Sequence, residues 1–592
     1  MFRTLILLCC GLLATIVAAY RFGAGIERAD FAYVNPSGIN TLDPAVMTWT
    51  QDIRIAINIW EGLTAYDPET AEPIEGAAYW PTVSDDGLVY TFTVRPEARW
   101  SNGDAVTAHD FIRGWRRAIE PGTAADYAFF ITDFVAGARD YYDWRNEAVA
   151  LLSSKTPDRH TTWEERFEQH ASERDDRFQR VGLRALDERT LQVTLARPCA
   201  YFLDLCAFAT LMPIHASIER LRIDHQETGI TREGLVIYDP QWTKPDYHVN
   251  GYPGLITNGP YRLAEWTFKR RIRLYANPYY HGRAHVSCET IDMLVYGDVN
   301  ASIMAYEAGD VDFLPEMNVS YDHELARLAA SGERPDIRCP VVFGTYFYLF
   351  NCRDETVDDR LNPFIDARVR KAFCLAVDKK VIAQNVVARG DPPTDNLVPA
   401  GSIKGYASPS GLGHDPDEAR RLLAEAGYPG GAGMPVIDIL YNTGFHHGKI
   451  CEVLAQMWRK ELGVTVVPRG KETKTFAEDR KNRKFMIARA GWYGDYRDPT
   501  TYLDLLATGN GNNDSGYSNP AYDALLGRAA ETIDPRERYS ILADAERMLI
   551  QQEFPILPLY QYTQVMAWKP YVKGLYPNLR LVFPFRAISI QP

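Results

Sequence analysis

The six residues Phe485 to Ala490, Phe-Met-Ile-Ala-Arg-Ala, are apolar but for one arginine, a length and content that fit a buried strand. The run passes into Gly-Trp-Tyr-Gly-Asp, which reads as a loop. Gly491 and Gly494 permit close backbone approach or positive φ, Trp492 and Tyr493 offer apolar walls with polar tips, and Asp495 is an acid held among aromatics. Asp498 and Pro499 then read as the N-cap and first residue of a helix. Elsewhere, Tyr90 to Arg95 alternates as a strand, and Thr107 with Asp110 three residues on forms a capping-box variant. Gly344 to Asn351 is an apolar strand, and Asp415-Pro416 opens a helix that Gly427 closes. Ile437 to Tyr441, His447 to Leu462 with Gly463 past its end, and Val464 to Val467 read as strand, helix, strand, the arrangement of an α/β lobe with loops at its strand ends. Asp140 to Arg180 is long, charged and contains two tryptophans, and is expected to be a surface helical insertion.

At 592 residues the chain is too long for one core, so two or three domains are expected. Hydrophobic content of 46% and charged content of 24% are those of a soluble globular protein. A net charge of -13 disfavours nucleic acid or an anionic membrane surface as partner and suits cationic or zwitterionic ligands. Arg3, the apolar run Leu5 to Ala19 and the small residues Val17-Ala18-Ala19 read as a secretory signal over residues 1–26, with an uncleaved anchor as the alternative. Beyond it lie seven cysteines, an odd number; Cys199 with Cys206, or Cys339 with Cys352, are candidate pairs that sequence does not decide. No spacing suggests a metal site, and the adjacent His446 and His447 are poorly placed to share one ion. No G-x-S-x-G, H-E-x-x-H or phosphate-binding loop is present, so neither catalytic residues nor a cofactor are expected.

Several stretches occur together in a recognisable order. They are Asn58 to Leu63, Trp100 to Phe111, Asn258 to Leu263, Asp366 to Arg370, Ala488-Arg489-Ala490-Gly491-Trp492 with Asp495-Tyr496 and Pro499-Thr500, and Tyr517 to Asp523. This set resembles the oligopeptide-binding proteins of ABC importers, solute-binding protein family 5. The resemblance implies an α/β, two-lobed periplasmic-binding-protein-like fold with an additional small domain and two crossings between the lobes. It places lobe I at 27–60, 185–345 and 562–592, the accessory domain at 61–184 with its charged insertion at 140–180, and lobe II, with the main peptide-terminus contacts, at 346–561. It further implies an exported, monomeric binding protein that is not an enzyme. Such a protein closes on an oligopeptide and hands it to an ABC permease in the membrane. Alternatives are a different solute in the same fold (a dipeptide, a nickel complex, haem or a sugar) or an exported peptide hydrolase.

Residue by residue, the resemblance makes Asp495 the ligand of the peptide α-ammonium and Gly491 a supplier of backbone contacts. Arg480 and His447 fall at positions used for the peptide carboxylate, Arg480 being favoured because a guanidinium grips a carboxylate through two bonds. Arg489, Trp492 and Tyr493 share the same strand and loop, and Asn442 is a further candidate. Gly38, Leu349 and Thr473 stand where relatives carry two glutamates and a tryptophan, which implies a preference for apolar or small ligand side chains.

Overall fold

Strand Val341–Phe350 is apolar on both faces because it lies inside a sheet covered on both sides. Its even-numbered residues Val342, Tyr346, Tyr348 and Phe350 pack into one hydrophobic cluster, and its odd-numbered Phe343, Phe347 and Leu349 into another. A computed structural model describes residues 28–36, 38–153, 172–221 and 240–591. In it this strand belongs to a five-stranded sheet ordered Val466–Lys471, Ile437–Asn442, Ile487–Tyr493, Val341–Phe350, Ile556–Thr563. Strand Ile437–Asn442 runs parallel to Val466–Lys471 and to Ile487–Tyr493, while Val341–Phe350 is antiparallel to both of its neighbours. Helix His447–Leu462, stopped by Gly463 at φ 71°, makes the first parallel crossover, and Thr473–Lys481 the second. The expected strand, helix and strand are therefore present, with the second strand starting at Val466.

A second, seven-stranded sheet runs Ile337–Arg338, Met566–Trp568, Phe313–Leu314, Phe31–Val34, Thr290–Leu294, Arg271–Ala276, Tyr261–Thr267. The chain changes sheets twice, through residues 339–340 and 564–565, and Val341 pairs with Thr563 directly beside those links. Two short antiparallel connections lying side by side in this way make a hinge. A four-stranded antiparallel sheet, Thr82–Val83, Val89–Thr93, Thr190–Thr194 and Leu183–Ala185, shares its core with the seven-stranded sheet. Its helix Ala108–Ala118 carries the capping box, Asp110 accepting from the Thr107 backbone at 2.9 Å.

The charged segment after residue 137 is helical over Ala138–Ser153, but its first turns are not surface. Tyr141 and Arg145 are buried, and Arg145 Nε donates to Glu120 at 2.9 Å, so a charge pattern that read as solvated includes a buried ion pair. Residues 154–171 of that segment, and the apparent signal at 1–26, lie outside the described residues. No described helix is long and apolar enough to cross a membrane. All seven described cysteines are free thiols, so neither candidate pair forms.

Candidate ligand-binding site

Between the two large sheets lies a cleft of about 570 Å³, within the range of small-molecule sites. One wall comes from helix Thr50–Ile59, with Tyr127 and Glu316; the other comes from Asn442, Phe445, His447, Arg489, Tyr493, Asp495 and the return strand's Tyr560 and Tyr562. Five of the eight expected residues, Asp495, Arg489, Tyr493, His447 and Asn442, thus meet in one place.

Asp495 follows strand Ile487–Tyr493 and is fixed by its backbone. Its N–H donates to Thr501 Oγ1 at 3.0 Å, and its carbonyl accepts from Arg580 at 2.7 Å. Its carboxylate accepts from the Tyr127 hydroxyl at 3.1 Å and, among the described residues, has no cation in ion-pair range. Burial pushes its pKa up to about 6, against a lowering by Tyr127 and Arg580. A carboxylate in that state gains from any ammonium that reaches it.

Arg489 is the complementary group. It donates to Tyr562 OH at 3.0 Å and sits 4.9 Å over the Tyr346 ring, and no carboxylate pairs with it among the described residues. The other cleft arginines are neutralised: Arg389 by Asp391 at 3.1 Å and Asp322 at 3.4 Å, Arg580 by Asp204, and Arg54 by Glu316 at 3.8 Å. Beside Arg489, His447 has its pKa lowered to about 3 by burial and by Arg489, His446 and Arg389, so the ring is neutral near pH 7. Tyr493 stacks on Tyr562 at 4.8 Å and 7°, giving this end an aromatic wall.

Arg480, Gly491 and Trp492 are not brought into this cleft. They border a separate cavity of about 40 Å³ with Leu349 and Asp514. Arg480 is held by Asp514 at 2.8 Å, so the guanidinium favoured from sequence is already paired. Trp492 points to the face opposite Arg489 and Tyr493, as strand alternation requires, and packs on the Phe347 and Leu349 cluster. Gly491 lies inside the strand, paired with Tyr346, and a Cβ there would meet Tyr562 OH at 2.2 Å. The close approach it permits is by the protein's own tyrosine. Gly494 does the same for Phe343, at 2.2 Å. Asp498 is one residue further from the helix than expected: Thr500–Leu503 begins after Pro499, and the Asp498 carboxylate accepts from Thr500 N at 3.1 Å and forms a two-pronged pair with Arg538 at 2.6 and 2.8 Å. Gly38, Leu349 and Thr473 all lie away from the cleft, Leu349 in the core and Thr473 exposed, so they offer no side-chain pocket there.

Tyr127, Arg389, Phe445, Tyr562 and Arg580 were not marked by the sequence. Tyr127 reaches Asp495 across 368 residues of chain and Arg580 across 85, with no local motif to signal either.

Two sheets joined by paired hinge strands around a cleft with, among the described residues, one acid and one guanidinium outside any ion pair define a two-lobed solute-binding protein. A family model described as bacterial extracellular solute-binding proteins, family 5 Middle, matches residues 67–514, and the chain belongs to that family. It is 30% identical to the periplasmic murein peptide-binding protein MppA of Escherichia coli over 545 residues, 91% of this chain and 88% of that protein. It is 29% identical to the periplasmic oligopeptide-binding protein OppA of Salmonella typhimurium, over 96% of this chain and 95% of that one. Among solved structures, the unliganded open form of MppA superposes with a TM-score of 0.72 at 27% identity, covering 95% and 98% of the two chains. Haemophilus influenzae OppA in complex with RPPGFSPFR gives 0.69 at 26% identity, covering 96% and 100%.

Proposed function

We propose that this protein captures oligopeptides with free termini between its lobes and delivers them to the permease of an ABC importer. The observation that carries this is the coexistence, in one cleft, of a half-buried carboxylate without a cation and a half-buried guanidinium without an anion among the described residues. Asp495 takes the α-ammonium, and Arg489 with His447 takes the carboxylate; Asn442 and Tyr493 line the path between. Every peptide shares its two charged ends and its amides, so such a site tolerates varied side chains. The printed names of the relatives, both peptide-binding, support the same ligand class. Lobe boundaries near residues 60, 185, 345 and 562, a monomeric state, and export through a signal at 1–26 complete the proposal.

Calorimetry on ligand-stripped protein tests it with three forms of one peptide: free, amino-acetylated and carboxy-amidated. The free form should bind, and each blocked form should lose most of its affinity. Equal affinity for all three would reject the reading. Mass spectrometry of the peptide after incubation separates binder from hydrolase, since a binder returns it intact.

A further inference from the structure

Under the basic end of the cleft, four side chains form one hydrogen-bonded file. His447 Nδ1 lies 3.0 Å from Tyr346 OH, which lies 3.4 Å from Tyr348 OH, which lies 3.2 Å from Cys451 Sγ. Tyr346 and Tyr348 project from the same face of strand Val341–Phe350, and His447 and Cys451 are one turn apart on helix His447–Leu462, so two regular elements hold the file in line. Tyr346, Tyr348 and Cys451 are completely buried.

We infer that this file sets the tautomer of His447, keeping Nδ1 as an acceptor and presenting Nε2–H to the cleft as an uncharged donor for the ligand's carboxylate. Each hydroxyl has a single proton, so the file runs in one direction from end to end. Its strongest link decides that direction. A phenol donates better than it accepts, and an imidazole nitrogen is a strong neutral acceptor, so the 3.0 Å contact is Tyr346 O–H to Nδ1. Tyr346 oxygen then accepts from Tyr348, and Tyr348 oxygen from the Cys451 thiol, a weak donor at the dispensable end. The reverse polarity asks a thiol sulfur to accept and turns a lone pair of Nε2 toward the cleft, where it repels a carboxylate. The groups facing the ring are Arg489, His446, Arg389 and Tyr346; burial, and after it the first three, keep it neutral down to about pH 3, so donation needs no proton uptake. Arg489 supplies charge and His447 a directed bond, one for each carboxylate oxygen. Tyr346, Tyr348 and Cys451 are positioning residues in this arrangement.

The ligand half of the inference rests on the peptide reading, but the tautomer does not, so the decisive test uses ligand-free protein. Long-range proton–nitrogen correlation spectra of histidine-labelled protein at pH 7, with His447 assigned by subtraction of a His447→Gln spectrum, should show the Nε2–H form. Tyr346→Phe should convert that signal to a mixture or to Nδ1–H. An Nδ1–H signal in the wild type, or a spectrum unmoved by Tyr346→Phe, overturns the inference. If Tyr346→Phe does not fold, Tyr348→Phe removes the next link and the wild-type spectrum still decides. In binding assays Tyr346→Phe should weaken a free-carboxylate peptide about 2- to 12-fold, the range of one ordinary hydrogen bond, and leave the amidated peptide unchanged. Equal weakening of both peptides overturns the carboxylate role. Failure of the peptide reading itself would show differently, as no binding by either protein with the spectra intact.

Discussion

Asp495 is a half-buried acid that no described cation pairs with, and in the proposed function it is the group that meets the ligand's ammonium. Removing one member of a buried charge pair costs about 3 to 5 kcal/mol, so Asp495→Asn should abolish measurable peptide binding in calorimetry. The same change should raise the melting temperature of the ligand-free protein at pH 7, because it deletes an unpaired, half-buried charge while Tyr127 can still donate to the amide oxygen. A lower melting temperature would show that Asp495 is structural. Its pKa of about 6 stands above the ordinary carboxylate value, so between about pH 4 and 6 the folded chain holds a proton that the unfolded chain has lost. This group therefore favours the folded state below that window, and the contribution is lost as pH rises through 6. Peptide affinity moves the other way. An ammonium needs the ionised carboxylate, so affinity should fall about tenfold per unit below pH 6, with proton release on binding. His447, neutral throughout that range, adds no second step. A flat profile from pH 4.5 to 7 would contradict both the burial of Asp495 and its role.

Strand Ile487–Tyr493 shows what a sequence reveals of an element and what it hides. Its existence, the crossover helix His447–Leu462 and the Thr107 capping box were legible because apolar period and cap chemistry are local, whereas the second crossover helix, Thr473–Lys481, was not. Its end was not. Glycines 491 and 494 read as loop chemistry, but pairing with Val341–Phe350 carries the strand on to Tyr493, and both glycines serve contacts with distant rings. Arg480 shows the same limit: its position in the chain is visible, whereas its partner Asp514 is met only in the fold. Arg389 and Tyr127 carried no signal at all. At this scale, Asp498 ties the loop's far end to helix Pro535–Arg547 through Arg538, both side chains being almost fully buried. Asp498→Ala leaves a buried guanidinium alone and should cost about 3 to 5 kcal/mol in urea unfolding, with the binding site otherwise complete. A loss under about 1 kcal/mol would mean that Arg538 finds another acceptor.

In the whole molecule, the segment that holds Asp495 is also where the lobes touch. Arg497 donates to Thr70 O at 3.2 Å and pairs with Glu72 at 3.1 Å, its backbone N–H donates to Asp204 at 2.7 Å, and Tyr496 stacks on Tyr201 at 4.1 Å. A ligand that reaches Asp495 therefore acts on the same few residues that bring the lobes together, and peptide should compact the protein. Arg497→Ala removes contacts that no ligand replaces. It should lower apparent affinity several-fold and enlarge the ligand-free radius of gyration in small-angle scattering, since affinity scales with the closed fraction. Unchanged scattering with reduced affinity would place Arg497 in ligand contact instead.

The seven free thiols among the described residues have a kinetic consequence. Burial holds each of these thiols above its ordinary pKa, to about 12 for Cys374 and Cys451 and higher still for Cys199 and Cys206, so almost no thiolate exists in the folded state. Reaction with an alkylating reagent then waits for the chain to open, and the rate of labelling at each cysteine becomes a clock for opening at that place. Cys451, at the foot of the cleft, and Cys288, in the core of the other lobe, time the two lobes separately. Peptide should slow the first clock more than the second, because the ligand braces the wall to which Cys451 belongs.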